Sequence, residues 1–119
     1  MLAGNTPVLV HNTGFCLQAA NSAVLKAVEN PSAFFIKNKH LSFSRGTWAK
    51  FDSADIAEVQ GWVAQALKSD KAVFMQNGLR DTFKVEVDTG RVIGTQGQTG
   101  IRIIVSNDGR VINALPVNP

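Results

Sequence analysis

The densest set of reactive side chains lies in "KNKHLSFSRGTW", residues 37 to 48, which holds Lys37, Lys39, His40, Ser42, Ser44, Arg45, Thr47 and Trp48. His40 is the one histidine beyond position 11. Imidazole is the side chain whose ordinary pKa lies nearest neutrality, so it can take or give a proton at physiological pH. His40 is therefore the first candidate for a general acid or base. A lone histidine is often only a surface or capping group; the surrounding cations are what lift this one. Lys39 and Arg45 can hold an anion, the guanidinium through two parallel hydrogen bonds, although a solvated charge is the ordinary fate of either. Lys37, Ser44 and Thr47 extend the same polar surface. Trp48 has two roles open to it: stacking a planar ring, or plugging the core beside Phe51, the commoner of the two.

A second polar stretch is "GTQGQTGIR", residues 94 to 102. Its glycines let backbone N–H groups approach an anion closely. The spacing is not that of a phosphate-binding loop ending in Gly-Lys-Ser/Thr before a helix, and a flexible hairpin loop is the plainer account. Arg80 in "NGLRD" and Arg91 after "DTG" are lesser candidates for anion contacts. If the anion is an RNA phosphodiester, the simplest chemistry is attack by the ribose 2′-hydroxyl on the adjacent phosphate. It needs a base for the hydroxyl, an acid for the leaving 5′-oxygen, and donors around the phosphate. No metal or cofactor is called for, and the nine acidic residues are spread singly rather than clustered.

The elements that must position these groups can be read from periodicity. Leu17, Ala20, Val24, Leu25 and Val28 recur at helical steps, and Asn30-Pro31 stops that helix, because the residue before proline is pushed out of helical geometry. Residues 32 to 51 carry no clear period; Phe34, Phe35 and Ile36 start a short helix or fill a bend, and 42 to 50 read as loop. Ile56, Val59, Val63, Ala66 and Leu67 mark a second helix over about 53 to 68, with Asp52 as its cap and Asp55 favourably charged in its first turn. From residue 72 the period becomes two. Strands are predicted at 72–76, at 82–88, at 101–106 and after the "NDG" turn at 107–109, where Asp-Gly between alternating apolar residues signals a hairpin. Helices followed by an antiparallel meander predict an α+β fold with N-terminal helices packed on a C-terminal four-stranded sheet.

Composition bounds the partners. The chain has 119 residues, 45% hydrophobic and 18% charged, which suits one globular domain. No apolar run reaches the roughly 20 residues of a membrane helix, so no membrane span is expected. Cys16 stands alone, which leaves no internal disulfide and no cysteine-rich zinc site. The net charge of +3 fits an anionic partner and equally fits mere solubility.

"GNTPVLVHN", at the start of the chain, resembles the C-terminal end of the intein-like self-cleaving segments that precede toxin modules in bacterial polymorphic toxins. The matching residues are Val8, Leu9, Val10, His11 and Asn12. The resemblance implies that the asparagine cyclises and releases the downstream domain, with histidine polarising the bond, so a cut would fall between Asn12 and Thr13. Residues 1–16 are then a linker or junction remnant and 17–119 the toxin domain. The element order of 17–119 is similar to the ribonuclease superfold that groups barnase, EndoU, the tRNA-cleaving colicins and RelE. In that superfold, sheet residues facing the helical layer's cleft supply part of the active site, which makes Thr99 and Arg102 candidates here. Arg102 stands between Ile101 and Ile103, so its side chain points away from theirs.

The resemblance implies a metal-independent endoribonuclease acting on RNA, with tRNA a suitable substrate. It would be delivered at the cell surface or secreted as part of a larger toxin, and would work in the cytoplasm of a competing cell. A basic toxin calls for an acidic cognate immunity protein. Two other classes stay open: another toxin enzyme (a DNase or an ADP-ribosyltransferase) and a non-catalytic binding module. A metal-dependent DNase wants a histidine motif or paired acids, which are not seen. A transferase wants a strand glutamate near an arginine, and Glu86 and Arg80 look isolated in the sequence.

Overall fold

In the computed structural model, which describes residues 17–119, the chain folds as expected into an α+β arrangement with the helices N-terminal to the sheet. The junction residues His11 and Asn12 lie outside the described residues. Helix α1, Leu17–Ala27, turns Ala20, Ala23, Val24 and Ala27 into the core. Pro31 does not merely stop it: its fixed φ opens a 3-10 turn, Pro31–Ala33. Helix α2, Ile56–Leu67, buries Val59, Val63, Ala64, Ala66 and Leu67. Strands β1 (Val73–Gln76), β2 (Thr82–Asp88), β3 (Gly100–Ser106) and β4 (Val111–Val117) form one antiparallel sheet in sequential order.

Alternation assigns the two sheet faces. Phe83, Val85 and Val87 of β2 and Ile101, Ile103 and Val105 of β3 are buried under the helices. Phe74 of β1 stacks on Phe83 with centroids 5.9 Å apart. The intervening residues point the other way. The register sets Lys84 opposite Ile104, Glu86 opposite Arg102, and Arg102 opposite Leu115. No helix covers this second face among the described residues, since α1 and α2 pack on the first.

The cap of α2 differs from expectation. Asp55, not Asp52, is the N-cap, its carboxylate accepting the Ala57 amide at 3.0 Å. Asp52 instead sits in the bend after the Phe51 bridge, where its amide donates to the Ile93 carbonyl at 2.8 Å. The chain can turn into the helix only after that crosslink, at Ser53, whose hydroxyl accepts the Asp55 amide.

Candidate functional site

The segment between the helices is aperiodic but anchored throughout. The stretch after the first 3-10 turn runs along the free edge of β4: the Phe35 amide donates to the Val111 carbonyl at 3.0 Å, and the Lys37 amide to Asn113 Oδ1 at 3.2 Å. Phe34 and Ile36 go inward while Phe35 stays outside. A second 3-10 turn, Asn38–His40, comes next and packs against β4. Past it, Phe51 forms a bridge with Gly94, its amide donates to the His40 carbonyl at 2.7 Å, and the Thr95 amide donates to the Lys50 carbonyl at 2.9 Å. The two polar stretches, 37–48 and 94–98, are thereby tied to one another at the same end of the sheet.

His40 sits at the centre of this knot, only 5% exposed. Its Nδ1 lies 2.7 Å from the Ala49 carbonyl oxygen. A carbonyl only accepts, so Nδ1 carries the proton and Nε2 holds the lone pair. Nε2 has no protein hydrogen-bond partner among the described residues. Burial is the main force pushing the imidazole pKa below its ordinary 6.5, and the charges of Lys39 and Lys37 push the same way; the bond to Ala49 opposes them. At neutral pH the ring is therefore an uncharged, oriented base with its acceptor nitrogen free. That favours the base over the acid among the two roles its residue type allows.

The cations divide into two groups. Lys37 lines a groove of about 390 Å³ on the uncovered sheet face, together with Lys84, Arg102, Asn77, Asn113, Leu79 and the apolar Ile104, Ile112 and Leu115. In it Arg102 Nε is bonded to Glu86 Oε2 at 2.5 Å, the pair being partly exposed. The terminal Nη groups of Arg102 carry no protein partner among the described residues. Lys39, Arg45, Thr47 and Lys50 lie in and beside the 41–51 loop. The Lys39 ammonium stands 4.5 Å from the centroid of the Trp48 ring, and Lys50 Nζ donates to the Gly46 carbonyl at 2.8 Å. Ser44 serves the loop itself: its hydroxyl donates to the Lys39 carbonyl at 2.8 Å. Trp48 is half-exposed, so it does not plug the core; the ring that fills that place is Phe51, fully buried and tilted against Trp62 at 6.3 Å.

The remaining candidates are not brought to this place. Thr99 lies outside β3, and its carbonyl accepts from both the amide and the hydroxyl of Thr89. Arg91 covers Trp62 at 5.2 Å, in a separate pocket on the helical side. Arg80 is at the opposite end of the sheet, beside Asp81, Asn107 and Asp108. Glu86, which looks isolated in the sequence, is not so in the fold. Its register partner is Arg102 rather than Arg80, a pairing that strand alternation plus the hairpin register could have signalled.

Comparison with protein-family models, with curated proteins and with solved structures gives no match. Among the described residues, no helix is long and apolar enough to cross a membrane.

Proposed function

We propose that this chain is an endoribonuclease that cleaves RNA by attack of a ribose 2′-hydroxyl on its own 3′-phosphate. The observation that carries this reading is the state of His40: Nδ1 fixed by the Ala49 carbonyl, Nε2 without a protein partner among the described residues, and the charges of Lys39 and Lys37 acting on the ring. The 2′-hydroxyl proton passes to Nε2 as the 2′-oxygen–phosphorus bond forms. The phosphorus–5′-oxygen bond breaks, the departing oxygen is protonated from solvent, and a 2′,3′-cyclic phosphate remains. Lys37, with Lys84 and the free Nη groups of Arg102 farther along the groove, offers donors to the phosphates. No step in this scheme calls on a metal or cofactor.

The basic charge, the polar groove and the "VLVHN" stretch at the start of the chain fit a toxin module used in bacterial competition. It is delivered as part of a larger secreted or surface protein, acts in the cytoplasm of the target cell with tRNA as a suitable substrate, and is held in check by an acidic immunity protein that covers the groove.

One observation favours a second reading. Glu86 on a strand against Arg102 is the pairing expected of an ADP-ribosyltransferase. A single experiment separates the two: incubation with total RNA and EDTA, and separately with NAD. Discrete RNA fragments ending in cyclic phosphate are expected, and His40→Ala lowers their rate about 10²–10⁴-fold without loss of fold, the usual contribution of a general base. Full activity in His40→Ala, or NAD turnover without RNA cleavage, overturns the ribonuclease assignment.

A further inference from the structure

The loop between His40 and Phe51 holds two large aromatic side chains out in solvent, Phe43 at 59% and Trp48 at 50% exposure. Isolated exposed apolar residues are unremarkable on any protein surface. These two differ because the backbone that presents them is pinned at each turn. The Ser44 amide donates to the Leu41 carbonyl at 3.1 Å and the Ser42 amide to the Ser53 carbonyl at 3.0 Å. The Ser44 and Lys50 side chains close the loop from within. Gly46 takes φ +103, a conformation that favours glycine, and a Cβ there would stand 3.0 Å from the Trp48 indole nitrogen. The indole therefore rests against backbone near Gly46, with the Lys39 ammonium over its ring. The ordering entropy of such a loop is lost in folding, so a ligand that lands on it does not have to supply it.

The charge around the rings is of one sign. From residue 37 to residue 51 the sequence holds Lys37, Lys39, Arg45 and Lys50 and no aspartate or glutamate. Aromatic faces interleaved with unneutralised cations suit a nucleobase with phosphates on either side. Inside a duplex both faces of a base are covered by its neighbours, so only an unpaired nucleotide can offer one.

We infer that the 43–48 loop is a stacking platform for unpaired nucleotides, with Phe43 and Trp48 as its rings, so that the substrate is single-stranded or looped RNA and not duplex. The inference rests on the proposed function for the identity of the polymer, and its test is independent of cleavage. The probe is a short RNA with a 2′-O-methyl group at every residue, which lacks the attacking hydroxyl, used single-stranded and annealed to its complement. Fluorescence anisotropy with the full chain should show the single strand bound at least about tenfold more tightly than the duplex. Trp48→Ala should weaken single-strand binding by about 5- to 150-fold, the usual range for loss of one stacked base, and leave duplex binding unchanged. Trp48→Phe, which keeps an aromatic face, should restore most of it. Equal affinity for the two forms overturns the inference. So does a Trp48→Ala, Phe43→Ala double variant that binds as the parent does while its melting curve is unchanged; the rings would then belong to a protein interface. If RNA cleavage fails while the single-strand preference holds, the proposed function falls and the platform stands.

Discussion

The loop at 37–51 and the turn at 106–110 are both polar and both close off the sheet, but they treat their charges in opposite ways. In the turn, Asp108 accepts from the Ser106 hydroxyl and takes both carboxylate oxygens to Arg110 Nε at 3.0 Å. The Ser106 hydroxyl also receives the Arg110 amide, and Gly109 at φ +91 lets the chain reverse. Every charge there has a partner within two residues. In the loop, the hydrogen bonds that hold the backbone come from amides, hydroxyls and the Lys50 ammonium, and none of its cations forms an ion pair among the described residues. Lys37 and Lys39 act on an oriented imidazole, Arg45 and Lys50 follow in the same loop, and with no carboxylate among them these charges are left for an anion from outside.

The strongest way to break this contrast is to remove the charges. Changing Lys37, Lys39, Arg45 and Lys50 together to glutamine should reduce affinity for single-stranded RNA by at least about a hundredfold, since each charge-assisted contact is worth roughly 1.5–3 kcal/mol before solvent screening. The log–log salt dependence of binding should flatten by about 0.7 for each phosphate interaction removed. Arg110→Gln, the matching change in the turn, should leave both affinity and salt slope where they were. Filter binding across a salt series measures both. Similar effects from the two variants would mean that diffuse charge, not the loop, attracts the polymer.

The next effect concerns how the loop is held. Gly94 lies under the Phe51 bridge, and a Cβ there would overlap Gln98 Oε1 and stand 2.9 Å from the Gln98 Cβ. Gln98 is buried and its Oε1 accepts the Gln96 amide, so it cannot swing aside without breaking that bond. Gly94→Ala should therefore destabilise the fold by about 1–3 kcal/mol, as overpacking does. Cleavage measured on the folded fraction should fall further than the loss of folded protein explains, because the bridge also places His40. A denaturant titration paired with a rate measurement decides it; unchanged activity per folded molecule would show that the bridge is structural only.

Phe51 and Trp48 show why part of this structure is legible in the sequence and part is not. The helices and strands can be read because each is a repeat of 3.6 or 2 that any core-facing element must show, and Val59, Val63, Phe83 and Ile103 all fall where those periods put them. Residues 34–51 have no period. Their order comes from bonds to distant sequence, such as the Lys37 amide to Asn113, 76 positions away, and the Phe51 bridge to Gly94. Without those partners nothing local says which of two aromatics goes inside. Phe51 does, and Trp48, three residues before it, stays out. The cap of α2 is misplaced by sequence reasoning for the same cause: Asp52 has the right side chain, but its backbone is committed to Ile93. Of the site, His40 and its cations are visible as a cluster of residue types. The tautomer and the lowered pKa require the fold.

The smallest effect separates the two regions along the pH axis. The pKa of His40 is lowered below 6.5 in the folded chain, first by burial. Above 6.5 both folded and unfolded forms hold the imidazole neutral. Below it the unfolded chain binds a proton before the folded one does, so the stability His40 contributes is lost as pH falls from 6.5 through the folded value. Asp108 is also lowered, from 3.8, by the Ser106 hydroxyl first and Arg110 next; its contribution is present above 3.8 and fades only as pH falls through its own folded value. Melting midpoints of the parent and of His40→Gln should therefore diverge at neutral pH and converge as pH falls from about 7 to 5, whereas Asp108→Asn should keep a constant offset from the parent through that window and close it only in stronger acid. The cleavage rate should share the first window, with its acid limb centred below 6.5, because only the neutral ring can accept the 2′-hydroxyl proton. A limb above 6.5, or a His40→Gln difference that grows on acidification, would mean that burial does not hold the imidazole pKa below its ordinary value in the folded protein.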